Sequence, residues 1–207
     1  MTYTIIGIDV GLSGGISIID GCKDPVVHKM PLMEIKVNKK TKNVYDIEKI
    51  VDICEQYKDK KVLFCIERQG VRPGEGSVSA MTIGKGFGQL LGVAYAFKFI
   101  VIVVSPVSWK KQYPFLEKNI VQDIRIEIKE KQAYGKTLKD KSLKNDNNKY
   151  IEKLKLGLKA QAKTNARELV SDLYPQMKDM FKKKNSDGMA ESLLIALYGR
   201  DKQDELV

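Results

Sequence analysis

Two apolar runs in this chain each end on a carboxylate. TIIGI, residues 4–8, stops at Asp9, and VLFCI, residues 62–66, stops at Glu67. Short continuous apolar runs bounded by turn signals read as buried strands. A carboxylate set directly against such a strand loses hydration and needs a partner for its charge. Asp187 and Glu191 stand four apart in a segment of helical pattern, so they share one face. Any fold for the chain has to supply partners for these four groups.

The rest of the pattern is read around those anchors. Residues 3–9 and 15–19 predict two short strands joined by a tight turn at GLSGG, and about 26–30 continues the meander. Residues 31–43 are polar and lysine-rich and read as a loop. Ile47, Ile50, Val51, Cys54 and Tyr57 fall at helical spacing, which predicts a helix over 45–58 with Asn43 as its cap. A glycine- and arginine-rich loop follows Glu67. A long helix is expected over 78–98, with Met81, Phe87, Leu91, Ala94 and Phe97 as its buried face. Residues 99–104 read as another buried strand, stopped by Ser105-Pro106. KTLKDKSLKNDNNK, low in apolar content, reads as mobile. Residues 160–173 return to helical periodicity until Tyr174-Pro175, and the last helix ends near Gly199. The order predicts an α/β fold, a mixed sheet flanked by helices.

Composition narrows the chemistry. At 207 residues the chain fits one domain, 1–207, with a basic insertion at about 112–158. No run approaches the length of a membrane span, and the start lacks a secretory signal, so no membrane partner is expected. Cys22, Cys54 and Cys65 are odd in number and unevenly spaced, which argues for a reducing compartment. The expected location is the cytoplasm of a bacterial or phage-infected cell, with an organellar stroma or matrix left open. His28 is the one histidine, which excludes a multi-histidine metal site. Carboxylate oxygens alone suit hard cations such as Mg²⁺ or Mn²⁺. Two such ions about 4 Å apart activate water and stabilise the leaving oxygen of a phosphodiester. Lys and Arg number 36 against 26 Asp and Glu, a net charge of +10, and the whole excess lies in residues 110–184. Such a block suits a polyanion, above all nucleic acid.

GIDVGLSGGISIID with Asp9, the strand ending in Glu67, GKGFGQLLGV, VVSPVSWKK, AKTNARELVSDLYP and DGMAESLLIALYG together resemble the RuvC-like Holliday junction resolvases of the RNase H-like superfamily. In bacterial RuvC the last two carboxylates are usually both Asp and three apart. The four-residue Asp187–Glu191 spacing looks more like the plant chloroplast resolvase and related phage or bacterial forms. The extended stretch 110–160 also departs from compact bacterial RuvC.

The resemblance implies an RNase H-like core, a homodimer, and paired symmetric nicking of four-way junction DNA with Mg²⁺, two ions per active site, and no nucleotide cofactor. Asp9, Glu67, Asp187 and Glu191 match the family's metal ligands. Lys110, or Lys111 beside it, matches a lysine near the scissile phosphate, with Lys110 preferred. Arg68, Arg72 and Lys85 are expected to contact the junction near its crossover, and Lys182, Lys183 and Lys184 to neutralise backbone phosphates. Phe87 and Trp109 are expected to pack rather than stack on bases, and the helix at 78–98 is the expected dimer interface. Rival readings share parts of the pattern: an RNase H-like nuclease acting on RNA–DNA hybrids or flaps, a binding module without catalysis, and an actin-like or sugar-kinase-type ATP-binding protein, which also begins with Asp-x-Gly and a glycine-rich turn.

Overall fold

The computed structural model describes residues 3–70, 74–117 and 119–206. Its centre is a five-stranded mixed sheet. β1 (Thr4–Asp9), β2 (Gly15–Asp20) and β3 (Val26–Lys29) form an antiparallel meander. β6 (Val62–Glu67) then pairs parallel to β1, and β7 (Ile100–Val104) parallel to β6, giving the order β3-β2-β1-β6-β7. This is the α/β arrangement expected from the sequence, a mixed sheet flanked by helices. β1 and β6 lie centrally and are buried on both faces, as their unbroken apolar runs demand. β7, expected to be a buried strand, is instead an edge strand with Ile100 and Val103 exposed.

Each face of the sheet carries its own core. On one, α1 (Ile47–Glu55) and α2 (Ser77–Ala96) cover Ile6, Ile8, Phe64 and Ile66. The cap of α1 is Asp46, whose Oδ1 accepts from the Lys49 amide, not Asn43. The buried face of α2 is Leu90, Val93 and Ala94; Phe87, Leu91 and Phe97 are half-buried, whereas Met81 is 77% exposed. On the other face, α7 (Asp187–Asp201) lies across β1 and β2 with Leu193, Leu194 and Leu197 in the core. Its approach is set by glycine. A methyl group at Gly7 would collide with the backbone of Ser192 and Ala196, and one at Gly15 would come within 2.8 Å of the Gly188 carbonyl oxygen. Between the two elements the Ser17 and Ser192 hydroxyls share a buried hydrogen bond of 2.7 Å.

Two regions differ from expectation. Residues 31–43 are no loop: β4 (Leu32–Val37) and β5 (Lys40–Tyr45) form a separate hairpin. Its two-residue turn, Asn38-Lys39, has φ of 49° and 61°, the positive values such a turn requires. Its side chains are mostly exposed on both faces, so no apolar alternation marks it. The stretch read as mobile is also ordered. After α3 (Pro106–Lys111) and a 3₁₀ turn at Pro114–Glu117, α4 (Asn119–Thr137) and the 33-residue α5 (Lys141–Leu173) form an antiparallel helical hairpin. Asp140 caps α5 by accepting from the Ser142 and Leu143 amides. Short helices α6 (Lys178–Phe181) and α8 (Gln203–Leu206) flank α7.

Candidate active site

Strand register places the first two carboxylates side by side. Ile8 of β1 pairs with Ile66 of parallel β6, so Asp9 and Glu67 leave the same edge of the sheet on adjacent strands. Helix α7 adds Asp187 in its first turn and Glu191 one turn later, both largely buried. The groups feel one another. Burial raises the Asp9 carboxyl well above the usual carboxylate range, and Glu191 and Glu67 raise it further. Burial likewise raises Glu191, with Lys110 pulling it back and Glu67 and Asp187 adding to the rise. Four acidic side chains from three elements therefore make one self-repelling cluster.

Cations ring the cluster. α3 begins at Pro106 with the Ser105 hydroxyl accepting from the Ser108 amide, and it carries Trp109 and Lys110 at its end. Trp109 is fully buried and donates from Nε1 to Glu67 Oε1 at 2.9 Å. The expectation that it packs is met, and the hydrogen bond gives it a second task, holding Glu67. Lys110 Nζ lies 4.9 Å from the centre of the Trp109 ring and 3.8 Å from Glu191 Oε1. The sequence reading missed two further cations on α5. Lys163 Nζ stands 3.4 Å from Asp187 Oδ2, and Arg167 Nε 3.1 Å from Asp187 Oδ1. They are four apart, on the edge of the Ala166–Val170 face that packs against α7, a spacing that mirrors Asp187 and Glu191. That matched spacing was the available signal. Asn165 fixes this part of α5 by donating to the Leu116 carbonyl oxygen at 3.2 Å.

Among the described residues no group of three acidic, histidine or cysteine side chains is arranged to hold a metal ion. The donor set nevertheless fits a hard cation in kind. Asp187 Oδ1 is buried without a hydrogen bond, because the Arg167 contact is close but poorly aligned. Lys163 and Arg167 already set positive charge beside Asp187, so what Oδ1 lacks is an aligned partner, which a coordinated hard cation would supply.

The other expected contact residues are dispersed. Arg68 is exposed beside Glu67, its amide bonded to the Val104 carbonyl oxygen at 2.7 Å. Arg72 lies outside the described residues. Lys85 lines a cleft of about 380 Å³ between α2, the β4–β5 hairpin and Gly11 and Leu12. Lys110 and Lys111 border a second cleft of about 540 Å³, closed on its far side by Gln122 and Arg125 of α4. Lys182, Lys183 and Lys184 are exposed ahead of α7. Lys182 pairs with Asp179, while Lys184 shares a cleft of about 280 Å³ with Lys29, Lys163 and Asp187.

No protein-family model matches the chain, and no curated protein does either. Among solved structures, Thermus thermophilus RuvC in complex with a Holliday junction substrate matches at 13% identity, with a TM-score of 0.36, over 53% of this chain and 68% of that one. A further Thermus thermophilus RuvC structure matches at 14% identity and a TM-score of 0.33 over the same shares.

Proposed function

We propose that the chain is a divalent-metal-dependent endonuclease that resolves four-way DNA junctions by paired symmetric nicks. The observation that carries this reading is the gathering of Asp9, Glu67, Asp187 and Glu191 at one edge of the sheet, with Lys110 against Glu191. In this reading residues 1–207 act as one nuclease domain with the α4–α5 hairpin as its insertion.

The four carboxylates would hold two Mg²⁺ ions, with Mn²⁺ as a substitute, and the ions would supply an activated water and a stabilised leaving oxygen. The chain's own part is positioning and charge. Trp109 fixes one oxygen of Glu67 and leaves the other free to turn outward. Lys110 offers its ammonium to the phosphate being cut, held in place by the indole beneath it. Lys163 and Arg167 keep Asp187 compensated while the site is empty of substrate. Arg68, Arg72, Lys85, Lys111 and Lys182 to Lys184 neutralise neighbouring phosphates.

Symmetric nicks need two active sites related by a two-fold axis, and hence a homodimer. Helix α2 suits that contact. A methyl group on Gly84, Gly88 or Gly92 would meet open space, and exposed Met81 extends the same face.

The test sets mobile and immobile four-way junctions against matched duplex, flap and RNA–DNA hybrid, in Mg²⁺ and in EDTA. The expected result is paired nicks on the junction, with rejoinable 5′-phosphate and 3′-hydroxyl ends, lost in EDTA. Asp9→Asn should abolish cutting and keep junction binding. Preferential cutting of hybrid or flap would overturn the named substrate, and undiminished cutting by Asp9→Asn would overturn the site.

A further inference from the structure

We propose that one face of α4 is a track for a duplex arm of the nucleic acid cut at the carboxylate cluster. The inference rests on the endonuclease reading for the identity of the cut strand, and on the charge pattern of α4 for the track itself.

Projected at 3.6 residues per turn, Gln122, Arg125, Lys129, Gln132 and Lys136 fall within about 80° of the helix surface. Asp123, Glu127 and Glu130 fall on the opposite side, within about 60°. The face between them that packs on α5 carries buried Val121 and Gly135. The basic face holds no acidic residue and is solvent-exposed along its length, whereas the acidic side also carries Lys131 beside Glu127. Opposite signs four apart, which stabilise a solvated helix, occur on α4 only at Glu127 and Lys131, away from the basic face, where Arg125 and Lys129 stand four apart with like sign.

The basic face is continuous with the candidate active site. Its first members, Gln122 and Arg125, form the far wall of the cleft bordered by Lys110 and Lys111. From Gln122 to Lys136 the face runs about 21 Å, the length of about six base pairs. Beyond it Lys139 in the connection and Lys141 and Lys144 in the first turn of α5 continue the charge. Among the described residues Lys129, Lys136, Lys139, Lys141 and Lys144 make no ion pair.

The hairpin also has contacts that set the rotation of α4. The Asn147 side chain donates to the Lys131 carbonyl oxygen at 2.9 Å and fills the space over Gly135. The Tyr150 hydroxyl donates to Glu127 Oε1 at 2.7 Å, and Lys131 lies over the Tyr150 ring. These contacts hold α4 in one rotation about its axis, so the basic face points outward along its whole length.

The test uses the full chain with Lys129→Gln, Lys136→Gln, Lys139→Gln and Lys141→Gln combined. The control variant carries Asp123→Asn and Glu130→Gln on the opposite face. Binding to a plain 20-base-pair duplex, and to junctions with arms of about 15 or about 5 base pairs, is followed as salt is raised. The lysine variant should lower the slope of log affinity against log salt by up to about 3.6 on the duplex and the long-armed junction. The loss should be much smaller on the short-armed junction, and the control should keep the wild-type slope. Unchanged slopes in the lysine variant, with junction cutting intact, would overturn the track alone. A lowered duplex slope without any junction cutting would support the track and overturn the endonuclease reading. Failure of the wild type to bind any nucleic acid would overturn both. Polyglutamate displacing duplex at equal charge would assign the face to an acidic protein and overturn the proposal.

Discussion

Helix α7 lies on β1 and β2 through glycine contacts and a continuous apolar face, whereas the outer part of the α4–α5 hairpin is held by an asparagine, a tyrosine and a capping aspartate. The first contact buries backbone against backbone and tolerates almost no added atom. The second is polar, local and half in water. The comparison teaches where a sequence states its structure loudly. Apolar burial leaves a periodic trace along the chain, while a few well-placed hydrogen bonds leave almost none.

Four measurements sharpen or break that contrast. Leu193→Ala, at the centre of the α7 core, should lower global stability by about 2–5 kcal/mol in urea unfolding. A loss under about 1 kcal/mol would mean α7 is not the keystone described. Trp109→Phe removes a donor to a carboxylate and should cost about 1.5–3 kcal/mol. The same variant should slow cutting more than it weakens DNA binding, because Glu67 loses its orientation.

Asp9→Asn has the opposite sign. The folded pKa of Asp9 lies above its ordinary 3.8, so its ionisation opposes folding. That opposition is absent below the ordinary value and grows as pH rises through the raised one. In EDTA the wild type should therefore lose stability as pH climbs through that window, and Asp9→Asn should lose less, keeping only the part due to the raised Glu191. At neutral pH the variant's Tm should be higher, by about 2–4 °C for each kcal/mol of repulsion relieved. A lower Tm for the variant would mean the cluster is already neutralised. Smallest is Tyr150→Phe, which removes an exposed bond worth about 0.5 kcal/mol. Its effect should appear as faster amide exchange within 119–160 rather than as a shift in global unfolding.

The same contrast explains what was legible in advance. β1, β2, β6 and α7 declared themselves by burial, and with them the carboxylates at their ends. The β4–β5 hairpin escaped because both its faces are wet; its turn at Asn38-Lys39 was the only mark. The α4–α5 hairpin escaped because Asn147, Gly135 and Tyr150 do work that apolar stripes do elsewhere. Met81 was assigned inward because apolar spacing does not say how far a helix extends past the core that covers it. Lys163 and Arg167 were missed because their four-residue spacing gains meaning only once α5 is known to pack beside Asp187.

Trp109 is the chain's single tryptophan. Its indole is sealed from water, bonded to one candidate ligand and capped by the ammonium of another site residue. The protein therefore carries one indole fluorophore, excitable apart from its nine tyrosines and wired to the place where chemistry is proposed. Its emission would register any rearrangement of Glu67 or Lys110 without a label, turning each occupancy of the cluster into an optical signal read in real time.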